Sequence, residues 1–467
     1  MEQNNRVKIM IKRKFAGLIS ALCVVTLALI CSNGLGQTVM QEQKKDIQLD
    51  NAARKDIVEN TAKILEDYYV FPEKGKVMAD TLRANLKSGV YDNLTTPEPL
   101  RSRLVQDLQK INPDSHMSLS YFPPSAGFSF ISNTETDETK IKEAQDSMER
   151  QAKENNFGLV KVEILEGNIG YLKIGGFQSP ANLARPALAA AMKFLENSDA
   201  IIIDVRVNPG GDPEYVALVS SYFFEGKPVL LNSMYNRPSN TTKEHWTVDV
   251  EGRLAGKPLY ILTGPASASG AEVLAYDLQS FKKATIVGEK TVGGAHGMSP
   301  YLFKNDYGAF AVIVPDARVI NAVTKTNWEG VGVKPDIAVE AEKALITAHR
   351  LALGEVARST QNEDVKSRNA QIISKLSFQE RKRQGGDLRE YAGKYGDREI
   401  SFDGESLKFK RQGGPEIKMI QVEDDVFQLD ISVPDKPRVR FKKENGKVTG
   451  FFLERQGGND VFVEKND

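Results

Sequence analysis

The chain has 467 residues, with 62 Lys and Arg balancing 62 Asp and Glu, four His and two Cys. A neutral chain without a basic block gives no support for nucleic-acid binding, and this length predicts two or three domains. Both cysteines, Cys23 and Cys31, fall within the first 36 residues, so a chain cleaved after Gly36 has no disulfide, thiol nucleophile or cysteine metal site.

Residues 1–36 read as a signal peptide. Arg6, Lys8, Lys12, Arg13 and Lys14 lead into an apolar stretch from Phe15 to Cys31, and Gly34-Leu35-Gly36 offers a small-x-small cleavage site. That stretch is shorter than the ~20 residues of a spanning helix, which favours removal. Lipidation at Cys31 is the lesser alternative, because Ile30 is bulky where a small residue is expected. Removing five basic residues and one acidic one leaves a net charge of −4. A large exported chain without disulfides suits the periplasm or secretion from a bacterium.

Residues 46–122 read as an N-terminal helical unit. Ile57, Ile64 and Tyr68 share a helical face, and Met78, Leu82, Leu86 and then Leu100, Leu104, Leu108 recur every four residues. Residues 123–156 are polar and charged and read as a linker or flap whose middle could be an exposed helix. From 157 to 358 strands alternate with helices. The segments 169–174, 200–205, 228–233, 258–263, 284–288 and 309–314 read as strands, with helices over 183–195 and 215–224 and a closing helix over 341–358. Such alternation predicts an α/β core with crossover helices. Residues 359–386 read as a linker. Residues 387–467 read as a small all-β domain with turns at Asp403-Gly404, Gly413-Gly414, Asn445-Gly446 and Gly457-Gly458. The fold class expected is therefore multidomain α/β, with a helical unit first and a small β domain last.

Chemistry concentrates in the core. Thr263-Gly-Pro-Ala-Ser-Ala-Ser-Gly-Ala-Glu272 follows an apolar run and precedes an amphipathic one, which reads as strand, tight turn and helix. Such a turn sets a serine hydroxyl against free N–H groups at a helix N-terminus, where negative charge is favoured. Ser269-Gly-Ala-Glu272 also fits an ordinary capping box. Asp204-Val-Arg-Val-Asn-Pro-Gly-Gly-Asp212 follows a buried strand. Its paired glycines allow close backbone approach to a ligand, but it lacks the pattern of a nucleotide cradle. Asp204 and Arg206 read as structural.

A serine nucleophile needs a base, and the chain offers His116, His245, His296 and His349. His349 lies in the closing helix and reads as a surface residue. His245 lies in a polar excursion, His296 on a Gly-rich turn, and His116 after the last N-terminal helix. Glu329 sits in a polar loop. No His, Asp or Glu cluster has metal-ligand spacing, so neither metal nor cofactor is expected.

Asp204-Val-Arg-Val-Asn-Pro-Gly-Gly211, Gly264-Pro-Ala-Ser-Ala-Ser-Gly-Ala-Glu272, Gly288-Glu-Lys-Thr-Val-Gly-Gly294 and Gly330-Val-Gly-Val-Lys-Pro-Asp336, in this order, resemble the core of the tail-specific (C-terminal processing) serine proteases. Tyr68-Tyr-Val-Phe-Pro72 and Asp114-Ser-His116 resemble the helical domain of the interphotoreceptor retinoid-binding protein branch. Leu388-Arg-Glu-Tyr-Ala-Gly-Lys-Tyr395 resembles a β domain appended to many bacterial hydrolases. In the tail-specific proteases proper a lysine 25 residues after the serine is the base; here that place is Gly294. No stretch before the core reads as the PDZ domain that many of them carry.

The tricorn core protease is the better match, and that resemblance maps its site onto Ser115, His116, Ser269 and Glu329. It implies acyl transfer, with His116 taking the proton of Ser269, Ser115 holding the far nitrogen of His116, and Glu329 holding Ser115. The oxyanion would rest on N–H groups of Gly270 and of Gly210 or Gly211. An exported serine peptidase acting on unfolded or C-terminal peptide segments is thus the expectation. A carrier of apolar ligands with a vestigial site is the alternative. His296 as the base is a further reading.

Overall fold

The computed structural model describes residues 47–126, 138–380, 388–431, 433, 436–454 and 460–466. The expected signal peptide, residues 1–36, and both cysteines lie outside the described residues. Among the described residues no helix is long and apolar enough to cross a membrane.

In chain order the elements are α1 (Asn51–Tyr68), α2 (Pro72–Lys87), α3 (Pro97–Ile111), β1 (Ser118–Phe122), α4 (Glu138–Glu154), β2 (Leu159–Leu165), β3 (Ile169–Ile174), α5 (Ala181–Phe194), β4 (Ala200–Asp204) and α6 (Pro213–Ser221). There follow β5 (Leu230–Asn236), β6 (Thr241–Trp246), β7 (Leu259–Thr263), α7 (Gly270–Ser280), β8 (Thr285–Gly288), β9 (His296–Asn305), β10 (Gly308–Asn321), β11 (Ile337–Ala338), α8 (Ala344–Ser359) and α9 (Glu363–Glu380). Strands β12 (Gly393–Tyr395), β13 (Arg398–Phe402), β14 (Leu407–Arg411), β15 (Glu416–Glu423), β16 (Val426–Leu429), β17 (Arg438–Glu444), β18 (Lys447–Glu454) and β19 (Val461–Glu464) complete the chain.

The first of two compact units runs to Ile164 and resumes over Gly170–Ala344. Its helices start where the sequence supplies caps. The Asp50 side chain accepts the Ala53 N–H at 2.7 Å, and Pro72 and Pro97 open α2 and α3 where a missing N–H costs nothing. Of the expected stripe, Ile57, Met78, Leu82, Leu100, Leu104 and Leu108 are buried, whereas Ile64, Tyr68 and Leu86 are half-buried and Leu65 takes the core position on α1. They share one core with Phe310, Val312 and Val314 of β10. The helical unit therefore has no core of its own; β1, at its end, pairs antiparallel with β10.

Two sheets build this unit. One has the order β1-β10-β5-β6, with β9 also paired to β10; the other has the order β11-β8-β7-β4-β3-β2. In the second, β4 pairs parallel with β7, β7 with β8, and β8 with β11. Strands β4 and β7 are buried along their whole length, which explains their unbroken apolar runs. The carboxyl ends of β4, β7 and β8 release the loops that hold the site, as expected for a parallel sheet.

The second unit comprises 165–169 and Leu345–Asp467. It holds nearly all of α8, which the sequence reading assigned to the core. The expected linker 359–386 contains α9, whose Ser374 hydroxyl donates to Glu423 at 2.6 Å. The expected β domain is an eight-stranded antiparallel sheet, β12 to β19 in sequential order, around Tyr391, Tyr395, Phe441 and Phe451. Turns fall at Asp403-Gly404, Gly413-Gly414 and Asn445-Gly446; Gly457-Gly458 lies outside the described residues. In the 123–156 segment α4 is the expected helix, and 127–137 lie outside the described residues.

Candidate active site

Ser269 sits between β7 and α7 with φ 50° and ψ −115°, a conformation L-residues rarely adopt. Strain of this kind costs about 1–3 kcal/mol and persists only where the surroundings impose it. Here they do. Ser267 Oγ donates to Val205 O at 2.7 Å and accepts Gly264 N–H at 3.0 Å, while Ala268 N–H donates to Asn208 O at 3.0 Å. The Ser269 N–H turns inward to Glu272 Oε2 at 2.8 Å. Small neighbours, Ala268 and Gly270, leave the partly exposed Ser269 side chain room.

Glu272 does more than cap a helix. Its buried carboxylate also accepts Gly294 N–H at 2.9 Å on Oε2, and Gly293 N–H at 2.7 Å and Thr291 Oγ at 2.5 Å on Oε1. Burial pushes its pKa above the ordinary value, and these hydrogen bonds oppose that push. One side chain thereby locks the Ser269 turn to the loop 291–294.

The 208–211 loop lies against the same turn. A Cβ on Gly210 (φ +99°) would stand 2.5 Å from Gly270 N, and one on Gly211 (φ +141°) 2.1 Å from Phe177 C. Only glycine fits either place. The Gly210 N–H is already given to Asn208 Oδ1 at 2.8 Å. The N–H groups of Gly211 and Gly270 have no acceptor among the described residues. They lie close together, since a Cβ on Gly270 would stand 3.0 Å from Gly211 N.

Gly294 brings the histidine to this place. A Cβ there would fall 2.4 Å from His116 Cε1, 3.0 Å from its Nδ1 and 2.9 Å from Ser115 Oγ. The absence of a side chain at Gly294 is what leaves space for the imidazole. His116 Nδ1 is buried without a hydrogen-bond partner. Burial lowers the His116 pKa; the charge of Asp114 works against this and that of His296 with it.

Glu329 is placed differently from the relay implied by the resemblance. Its Oε2 accepts Ala295 N–H at 2.6 Å and lies 3.6 Å from His296 Nδ1, and no hydrogen bond joins it to Ser115 among the described residues. Asp114 takes the linking position. Its Oδ1 accepts the His116 N–H at 3.0 Å, and its Oδ2 accepts Tyr69 OH at 3.0 Å and meets His296 Nδ1 at 2.7 Å. Burial raises the Asp114 pKa, but His296 and the His116 N–H more than offset it, and the carboxyl lies below its ordinary value. Burial raises Glu329, with His296 opposing.

The donors of Asp114, His296 and Glu329 lie within 4.8 Å of one another, a grouping that could hold a metal ion. Spacing gave no hint of it, because 114, 296 and 329 meet only in the fold. The 2.7 Å contact between Asp114 and His296 is a hydrogen-bond distance, and cation ligation would require those two donors to separate.

The other candidates are structural. Asp204 pairs with Arg206 at 2.7 Å and accepts Tyr171 OH at 2.7 Å. His245 Nδ1 meets Asn232 Oδ1 at 2.8 Å inside the sheet. His349 is buried, not on the surface, with Nε2 on Glu166 O at 2.7 Å.

Residues 168–339 match peptidase family S41, and residues 39–166 match the N-terminal domain of peptidase S41 described in eukaryotic IRBP. The chain carries a peptidase family S41 domain preceded by an S41 N-terminal domain. Among S41-related proteins, a carboxyl-terminal-processing protease of Synechocystis is 29% identical over 175 residues, covering 37% of this chain and 38% of that protein. A carboxy-terminal-processing protease of Bartonella bacilliformis is 26% identical over 182 residues, covering 38% of this chain and 40% of that protein. The chain thus spans well under half the length of these relatives. The solved photosystem II D1 C-terminal processing protease is similar at 14% identity and a TM-score of 0.36, over 62% of this chain and 94% of that one. The fold read from the sequence holds: helical region, mixed α/β S41 core, antiparallel β unit.

Proposed function

We propose that this chain is an exported serine peptidase that cleaves peptide bonds by acyl transfer. The observation that carries the reading is the strained Ser269 turn facing two unclaimed N–H groups, those of Gly270 and Gly211. The serine oxygen attacks the peptide carbonyl while His116 takes its proton. The tetrahedral oxyanion rests on the Gly270 and Gly211 N–H groups, at the positive end of α7. His116 returns the proton to the leaving amine, and water then hydrolyses the acyl-serine with the same histidine as base. Of the two residues first considered for the second oxyanion donor, Gly211 is favoured because Asn208 already occupies the Gly210 N–H.

His116 is favoured over His296 as the base. His296 is tied at Nδ1 to Asp114 and stands edge-on to Phe71, its ring centroid 5.7 Å away. Ser115 Oγ and His116 Nδ1 both flank Gly294, so a turn of the exposed Ser115 side chain can close that step of the relay when substrate binds. Asp114 positions His116 through its backbone. The substrates proposed are unfolded or C-terminal peptide segments; the relatives' names speak of carboxyl-terminal processing. These are names of proteases, and none lends support to the carrier alternative.

Hydrolysis of a peptide library read by mass spectrometry tests the assignment. His116→Ala should abolish cleavage and His296→Ala should reduce it without abolishing it. The reverse pattern would make His296 the base. Because burial lowers the pKa of His116, the neutral base persists on acidification. The acidic limb of kcat/KM should therefore lie below about 6.5, the ordinary histidine value. Asp114→Asn removes a charge that favours the protonated ring, so that limb should move lower still. A limb above 6.5 would contradict the placement. Export is supported by residues 1–36, and N-terminal sequencing of the mature protein should begin at Gln37.

A further inference from the structure

Beside His116 lies a cleft of about 560 Å³, lined in part by Tyr69, Phe71, Asp114, His296, Arg318 and Glu329. Arg318 is the residue in it without an assignment. It stands on β10, opposite His296 on one side and Tyr235 on the other. Its guanidinium lies 5.2 Å from the Phe71 ring and 5.8 Å from the Tyr235 ring. Its Nε is buried with no hydrogen-bond partner, and it forms no ion pair among the described residues. The other charges of the cleft are mostly engaged. Asp114 holds His296, Tyr69 and the His116 N–H, Glu329 holds the Ala295 N–H, and Lys74 donates to Asn112 at 3.0 Å. Exposed Lys325 also lines the cleft, and no partner of its ammonium is seen among the described residues.

A buried guanidinium N–H left without an acceptor is costly, so the Nε of this half-buried side chain favours an incoming acceptor. Two aromatic faces hold this cation by cation–π attraction and fix its plane in advance. A flat fork presented in that way matches one ligand chemistry best, a carboxylate taken by paired N–H donors. Asp114 and His296 both line the cleft and act on His116, so an anion bound here lies beside the proposed base.

We propose that Arg318, assisted by Lys325, is a carboxylate-binding subsite for the peptide substrate. The carboxylate is the peptide's C-terminus or an acidic side chain. The identity of the ligand as a peptide rests on the peptidase reading; the binding test does not use cleavage.

The full chain carrying Ser269→Ala is titrated with one labelled unfolded peptide in three forms, followed by fluorescence anisotropy. One form has neutral side chains and a free C-terminus, one is its C-terminal amide, and one is the amide with an internal glutamate. An acid-bearing form should bind about tenfold or more tighter than the neutral amide, and which one does so identifies the source. Arg318→Met in the same background keeps the stack but removes the cation, and the preference should vanish. Arg318→Lys should restore part of it, and decides the matter if the methionine variant does not fold. Equal binding of all three forms, or a preference unchanged in a folded Arg318 variant, would overturn the proposal. A preference seen with a wild-type chain that cuts nothing would instead count against the peptidase reading alone.

Discussion

Ser269→Ala is expected to lower peptide cleavage by about 10⁴- to 10⁶-fold, the loss typical of a removed serine nucleophile. The substitution deletes only the attacking oxygen. Alanine keeps the backbone N–H that Glu272 accepts, and keeps the φ of 50° that the turn imposes. The variant should therefore fold with a melting temperature close to that of the parent. Ser269→Gly should be equally inactive but more stable, by about 1 kcal/mol, because glycine adopts this conformation without a Cβ clash. Mass-spectrometric turnover and thermal denaturation of the three proteins check both halves. Residual cleavage at the parental rate in Ser269→Ala would remove Ser269 from the chemistry.

Gly294→Ala should cost cleavage about 10²-fold or more while leaving the chain folded. Its backbone is not in the left-handed region, so alanine brings no conformational strain. The effect is steric and local. The new methyl would lie 2.4 Å from His116 Cε1 and 2.9 Å from Ser115 Oγ, so the imidazole must move. Displacements near 1 Å in a catalytic group are enough for losses of that size. The stability cost should stay within about 1–3 kcal/mol, as for other overpacked sites. Gly294→Lys should not rescue activity, because the lysine stem enters the space that His116 occupies. Steady-state kinetics beside a denaturant melt would separate the two effects; an unimpaired alanine variant would show that His116 is not the base.

Much of this site is written in local sequence. Ser269 stands out because an apolar strand, a run of small residues and an amphipathic helix follow one another within about twenty positions. Strands β4 and β7 are legible as apolar runs buried along their whole length. What the sequence hides depends on distant partners. Glu272 looks like a helix cap because its i, i+3 relation to Ser269 is local, whereas its bonds to Thr291, Gly293 and Gly294 are not. Asp114 is visible only as a neighbour of His116; its union with His296 crosses 182 positions. Of the long β9–β10 hairpin only the 309–314 stretch is readable, since Pro300, Asn305, Asp306 and Asp316 break the apolar alternation. Helix α9 escapes notice because, among its described residues, only Asn369 and Leu376 are buried.

The Glu272 carboxylate has a consequence for how the site opens and closes. Its Oε2 is shared by the N–H of Ser269 and that of Gly294, and Gly294 is the residue against which His116 rests. If loop 291–294 fluctuates away, a buried carboxylate loses three of its four donors at once, which is far costlier than losing one. Partial excursions are thereby suppressed, and the loop leaves or returns as a unit. The attacking hydroxyl and the seat of its proton acceptor are then gained and lost together. The population of chains with an aligned nucleophile but no base nearby is kept small, and the resting ensemble divides into competent and inert molecules with little between.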